Sequence, residues 1–282
     1  MNNGMLNTAA RAARIAGKII LRNFEQADLD VAEKQKNDLV TNIDKECEKA
    51  IFDFIGSKYP GHRFLGEEGG AQETRQAPET EAAKTRKPGL GKASGDHLWI
   101  VDPIDGTTNF VKGIPHVAVS IALQINGVTE LGVVYDPIRD EMFQALRGQG
   151  AVLNNRRLRV TDAMGLDGTI LATAFPHRKR ELMDSYTAIL MRVFKECADI
   201  RRAGTASLDL AYVAAGRLDG YFELGLKPWD MAAGELMVRE AGGIVADFKG
   251  GNDYMKSGSV LCGNPKIAKR LVALAREDSA NL

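Results

Sequence analysis

Residues 99–110 read WIVDPIDGTTNF, an apolar run that ends in two aspartates three residues apart. Burying an unpaired carboxylate costs several kcal/mol or forces it to take up a proton, so a buried strand ending this way must place Asp102 and Asp105 at its rim. Pro103 stiffens the gap between them. Two other places repeat the pattern: Glu67 and Glu68 follow HRFLG, and Asp230 follows Trp229 at the head of a helical stretch. If these rims meet, four or five carboxylates crowd together, and their repulsion requires cations to offset it.

Each signal alone has a plainer reading. Asp-Pro and Asp-Gly are ordinary turn formers, GEEGG reads as a solvated loop, and Asp230 suits the N-cap of MAAGELMVREA. Residues 204–207, GTAS, can simply start a helix, although free N–H groups at a helix start also suit a phosphate.

The remaining sequence narrows the chemistry. A chain of 282 residues accommodates one enzyme-sized unit. No apolar run approaches the roughly 20 residues of a membrane helix, so a soluble protein is expected. Three widely spaced cysteines, Cys47, Cys197 and Cys262, form no C-x-x-C pair and read as reduced thiols of a cytoplasm. The four histidines lack zinc-type spacing, so a metal here would be held by oxygen, which points to Mg²⁺ or a similar hard cation. Formal charge cancels, but residues 147–202 carry 11 Lys+Arg against 6 Asp+Glu. That basic sector suits an anionic substrate, an RNA or plain solvation.

Periodicity predicts a first helix with the stripe Ala12, Ile15, Ala16 and Ile19; its basic composition is shared with transit peptides, but no small-residue cleavage site follows. A loop then feeds a second helix with Cys47, Ile51, Phe54 and Ile55 on one face, and Thr41 and Asp44 have capping-box spacing. Residues 71–97, polar and proline-containing, read as a flexible loop insertion. HVAVSIALQI alternates, and Asn126-Gly127 turns it into VTELGVVYDP, a hairpin. The second half mixes strands (GTILATAF, YFEL, GIVADF, SVLCG) with helices over about 180–197, 207–215, from Met231 to Gly242, and after Pro265. Sheets covered by helices are implied. No P-loop motif is present.

GEE, then WIVDPIDGTTNF, then PWDMAAGELMVREAGG, in that order, resemble the inositol monophosphatase superfamily of Mg²⁺-dependent, Li⁺-sensitive phosphatases. NDLVTNID, GTILATAFP, ECADIRRAGTASLDLAYVAAGRLDGYFELGLKPWD and EAGGIVADF are most similar to its bacterial SuhB-type members. The resemblance spans nearly all of the chain outside residues 71–97. It implies one catalytic domain over residues 1–282 with an α/β layered sandwich shared with fructose 1,6-bisphosphatase.

It further implies a site that holds two or three Mg²⁺ ions on Glu67, Asp102, the Ile104 carbonyl, Asp105 and Asp230. Glu67 and Thr107 would orient the attacking water, with Asp44 behind Thr107, and the N–H groups of Gly106 and Thr107 would meet the phosphate. Gly204, Thr205 and Ala206 match a substrate-side loop, Glu223 a carboxylate for inositol hydroxyls, and Arg201 lies near enough to be a contact. The implied substrate is myo-inositol 1-phosphate or a related polyol phosphate, ahead of fructose 1,6-bisphosphate and 3′-phosphoadenosine 5′-phosphate. A homodimer is implied, and so is an alternative role in transcription antitermination through RNA polymerase, Nus factors or RNA. Two features depart from the family pattern: GEES has become GEEG, and 34 residues separate Glu67 from Asp102, more than most members show.

Overall fold

In the computed structural model, which describes residues 2–24, 30–35, 38–69, 74–76, 96–176 and 179–276, the chain opens with helix α1 (Asn2–Asn23). Its buried stripe is Met5, Ala9, Ala12, Ala13, Ala16 and Ile20. Ala12 and Ala16 fall where expected, but Ile15 and Ile19 are only half-buried at the margin, because small alanines face the neighbouring helix and sheet. The expected loop before the second helix is a ribbon of β1 (Val31–Gln35) and β2 (Asp38–Thr41). Helix α2 (Asn42–Lys58) follows, with the Thr41–Asp44 capping box in place, a feature worth about 1 kcal/mol. Phe52, not Phe54, completes its buried face; Phe54 is half-buried under the Arg11 guanidinium, 5.2 Å from the ring centre.

The first sheet comprises β3 (Arg63–Gly66), β4 (Thr74–Gln76), β5 (His97–Asp105), β6 (Ala118–Ile125), β7 (Val128–Asp136), β8 (Glu141–Leu146), β9 (Gly150–Leu153) and β10 (Arg156–Arg157). Short helix α3 (Thr107–Val111) follows β5. The strand order is β10-β9-β8-β7-β6-β5-β3-β4, with β3 and β5 parallel and the other pairs antiparallel. The insertion expected as a loop over 71–97 therefore contains strand residues at 74–76 and 97; its residues 71–73 and 77–95 lie outside the described residues. The hairpin turn is as expected: Asn126 and Gly127 both have positive φ, 53° and 78°, the geometry that matches strand twist.

The second sheet comprises β11 (Ile170–Thr173), β12 (Asp199–Arg201), β13 (Gly220–Glu223), β14 (Ile244–Ala246) and β15 (Val260–Gly263), in the order β12-β11-β13-β15-β14. Helices α4 (Met183–Phe194), α5 (Ala206–Ala214), α6 (Pro228–Glu240), α7 (Tyr254–Ser257) and α8 (Pro265–Arg276) interleave with it. Helix α6 starts three residues before Met231, because Pro228 has the fixed φ that suits a first turn.

Burial shows the layering. Trp99, Val101, Val119, Ile121 and Leu123 pack under α1 and α2. The opposite face of the same sheet, with Ile100, Ala122 and Val134, packs on α5 and α6, which also receive Tyr221, Val260 and Cys262 of the second sheet. Phe222, Leu171 and Leu261 turn the other way, to α4 and α8. The order is helices, sheet, helices, sheet, helices. No helix among the described residues is long and apolar enough to cross a membrane.

The middle layer requires close approach. A Cβ at Gly132 of β7 would stand 2.7 Å from the Ala233 carbonyl oxygen and 2.8 Å from its Cα, both backbone atoms of α6. Gly132→Ala should therefore lower unfolding free energy by about 1–3 kcal/mol, the range for an overpacked core, read as a shifted urea midpoint at unchanged slope.

Candidate active site

Residues i and i+3 of a regular strand face opposite sides, so β5 as an ideal strand would separate Asp102 from Asp105. It does not run ideally. Asp102 pairs with Ser120 and Asp105 with Ala118, so three steps on β5 oppose two on β6. That extra residue is a bulge, a device that re-aims side chains, and it brings both aspartates to one cavity. The Asp102 Oδ1 accepts the Ile104 N–H at 3.1 Å, which pins the bulge.

Because β3 runs parallel to β5, with Gly66 opposite Val101, the two strands end at the same rim and deliver Glu67 beside Asp102. The Glu67 N–H continues the ladder to the Val101 carbonyl at 3.2 Å. A Cβ at Gly66 would fall 2.0 Å from Glu48 Oε2 and 2.8 Å from the Phe52 ring, so a side chain there would displace both. That same Glu48 oxygen accepts the Glu68 N–H at 3.0 Å, so Glu68 is tied by its backbone while Glu67 lines the cavity.

After the bulge, Gly106 takes φ 96°, and a Cβ would meet Thr205 Oγ1 at 2.7 Å. This turn starts α3 and places Thr107. Its Oγ1 lies 2.9 Å from Asp44 Oδ1 and 3.1 Å from the Ile104 carbonyl oxygen, and its one proton is shared between these acceptors. Asp44, fully buried, also accepts from the Thr41 N–H at 2.8 Å and hydroxyl at 2.5 Å. Burial pushes its carboxyl up, and the hydrogen bonds from Thr41 and Thr107 oppose this.

The other wall comes from the second half of the chain. Asn109 of α3 donates to the His116 carbonyl at 2.8 Å and the Ala203 carbonyl at 3.0 Å, joining α3 to the 203–205 loop. Thr205 Oγ1 donates to the same His116 carbonyl at 2.9 Å. The start of α5 is occupied by a protein anion: the Ser207 N–H donates to Asp105 Oδ2 at 2.7 Å. Asp230 sits at the third helical position of α6, not at its N-cap, and accepts the Lys227 N–H at 2.7 Å. The Ser120 hydroxyl donates to the Trp229 carbonyl at 3.1 Å, tacking this helix start to β6.

The resulting cavity holds about 380 Å³ and is lined by all thirteen residues expected at the site except Arg201 and Asp44. Asp44 lies behind Thr107, hydrogen-bonded to its hydroxyl. Arg201 is a correction: its exposed side chain pairs with Asp199, and the cavity is lined by Arg202 instead. Successive side chains on an extended segment point to opposite faces, so the dipeptide can send only one arginine inward. Arg180 and Asn109 also line the cavity and were not anticipated. The HRKR and TTNF contexts contain these polar residues, without indicating that they face inward.

The electrostatics are those of crowded acids. Asp102, 2% exposed, is driven well above the usual carboxylate range by burial first, then by the charges of Glu67, Asp105 and Asp230. Burial also pushes Asp105 up to about 6, opposed by its hydrogen bonds from Ser207. Among the described residues no group of three or more Asp, Glu, His or Cys side chains is placed to hold a metal ion. The donor set nevertheless fits a hard divalent cation: it is all oxygen, and the described lining offers only Arg180 and Arg202 against Glu67, Asp102, Asp105, Glu223 and Asp230.

The sequence is similar to Escherichia coli K12 Nus factor SuhB, 51% identical over 275 residues that cover 97% of this chain and 96% of that protein. The structure is similar to extragenic suppressor protein SuhB from Bartonella henselae, with a TM-score of 0.87 at 42% identity over 97% of this chain and 99% of that one. It is also similar to the inositol monophosphate-bound SaIMPase-II, with a TM-score of 0.75 at 27% identity over 99% and 96% of the two chains. These relatives share the layered fold built here from helices and two sheets. With residues 1–280 matching the family as a whole, the chain belongs to the inositol monophosphatase family.

Proposed function

We propose that this protein is a Mg²⁺-dependent phosphatase acting on myo-inositol 1-phosphate and related small polyol phosphate monoesters. The observation that carries the reading is the meeting of Glu67, Asp102, Asp105 and Asp230, from three separated segments, on the cavity that also holds Thr107 and Glu223. Glu67, Asp102, the Ile104 carbonyl, Asp105 and Asp230 would hold two or three Mg²⁺ ions, which when bound would acidify a water and offset charge on the phosphoryl group.

The chain's own residues do the rest. Thr107, its proton committed to Asp44 or the Ile104 carbonyl, offers its Oγ1 as acceptor to the attacking water. Glu67 accepts the other hydrogen of that water and takes its proton as the new P–O bond forms and the bond to the alcohol oxygen breaks, that oxygen taking a proton from solvent as it leaves. The N–H groups of Gly106 and Thr107 hold phosphate oxygens. Residues 204–206 wall the alcohol side, where the acceptor-only carboxylate of Glu223 reads hydroxyl donors. Phosphate-monoester hydrolysis is so slow uncatalysed that alignment and charge stabilisation together must lower the barrier by about 20 kcal/mol or more.

Family membership supports Li⁺ inhibition and a homodimer as part of the same reading, and the free cysteines support a cytoplasmic setting.

A second reading has its own support. The 51% identical relative is named a Nus factor, so a task in transcription antitermination, through RNA polymerase, Nus factors or RNA, stands beside the phosphatase. The basic sector divides between exposed Arg156 and Arg157 on edge strand β10 and Arg201 and Arg202 at edge strand β12; His177 and Arg178 lie outside the described residues.

Asp102→Asn should abolish Mg²⁺-dependent phosphate release, by at least about 10³-fold on the scale of a lost electrostatic group, with an unchanged far-UV circular dichroism spectrum. In a panel of monoesters and bisphosphates with and without Li⁺, inositol 1-phosphate should be turned over best and Li⁺ should inhibit; preference for a bisphosphate would overturn the substrate assignment. In a strain deleted for the gene, Asp102→Asn should fail to correct defects that arise from lost phosphatase activity. Full correction of every defect by that variant would make binding the main task.

A further inference from the structure

Glu223 ends β13 at the cavity wall and is 7% exposed. Two residues earlier Tyr221 is fully buried, and its hydroxyl donates to Glu223 Oε2. Residues i and i+2 of a strand share a face, and this face packs toward α5, with Tyr221 in the same cluster as Leu208, Leu210 and Ala211. The ring has nowhere to go. Its strand is interior to the second sheet: Tyr221 is opposite Ala172 of β11 on one side and Cys262 of β15 on the other. Asp209, on α5, is 2% exposed and lies within electrostatic reach of both Glu223 and Tyr221.

A buried phenol that donates to a carboxylate of the site, from a backbone locked on both edges, is more than packing. We propose that Tyr221 is a positioning residue for polyol recognition: its hydroxyl holds the Glu223 carboxylate in the orientation that accepts hydrogen bonds from the alcohol part of the substrate. Phenylalanine at this position would keep the ring and its packing. It would also leave Glu223 without the hydrogen bond that ties it to the rigid sheet, beside the buried Asp209, so the carboxylate would lose that constraint on its orientation. The proposal rests on the reading of Glu223 as the acceptor for substrate hydroxyls.

The test compares Tyr221→Phe with wild type on two Mg²⁺-dependent reactions, hydrolysis of myo-inositol 1-phosphate and of phenyl phosphate, whose leaving group carries no hydroxyl beyond the reacting oxygen. For inositol 1-phosphate KM should rise about tenfold with little change in kcat, the loss expected for one hydrogen bond to a charged group that acts in binding. For phenyl phosphate both constants should stay within about twofold, on the same binding argument. In a Glu223→Ala background, Tyr221→Phe should add nothing, as required of two residues that act as one. Equal losses on both substrates, or an undiminished effect in the Glu223→Ala background, would reduce Tyr221 to a packing residue. A wild type that hydrolyses neither substrate would overturn the phosphatase reading itself, and this inference with it.

Discussion

Same-sign charge gathered at shared strand ends is the condition on which the rest of this structure depends. Two unit charges 4 Å apart repel by about 4 kcal/mol at the effective dielectric of a protein surface, and by more as water is excluded. Here Asp102 lies beside Glu67, with Asp105 and Asp230 close enough to be felt. No side chain would choose that company, so backbone must impose it. Parallel pairing of β3 and β5 brings Glu67 and Asp102 to one rim, the bulge in β5 turns Asp105 to the same side, and Ser120 tethers the start of α6 so that Asp230 completes the group. Burial of Trp99, Val101 and their neighbours beneath α1 and α2 supplies the favourable term against which this repulsion is held.

The site also belongs to two sheets at once. Its acidic end is carried by the first sheet and the start of α6, while Glu223 belongs to the second sheet and residues 204–206 to the loop before α5 and that helix's first residue. Asn109 and Thr205, bonded to the carbonyls of His116 and Ala203, hold those parts together across the gap. The glycines at 106 and 132 serve the same end by admitting neighbouring groups where a Cβ would not fit.

Much of this was legible in the sequence. An apolar run ending in Asp102 and Asp105 does mark a rim, the Asn126-Gly127 hairpin forms with both residues at positive φ, and the Thr41–Asp44 capping box is present. The less legible parts have particular causes. A bulge leaves no mark in residue spacing, so nothing in DPID itself says that both aspartates face one side. Helical periodicity located α1 but not which of Ile15, Ile19 and Ile20 would be covered, since that depends on where its partners lie. Arg201 and Arg202 are chemically identical, and only strand geometry selects the inward one. The β8–β10 meander was missed because its strands are short and its burial pattern is uneven.

The bond between Asp105 and the Ser207 amide links the two ends of the cavity. One carboxylate belongs both to the acidic cluster and to the first turn of α5, the helix that follows residues 203–205. Any change in where that carboxylate points is therefore felt at the start of the helix without any hinge, through a lever one peptide group long.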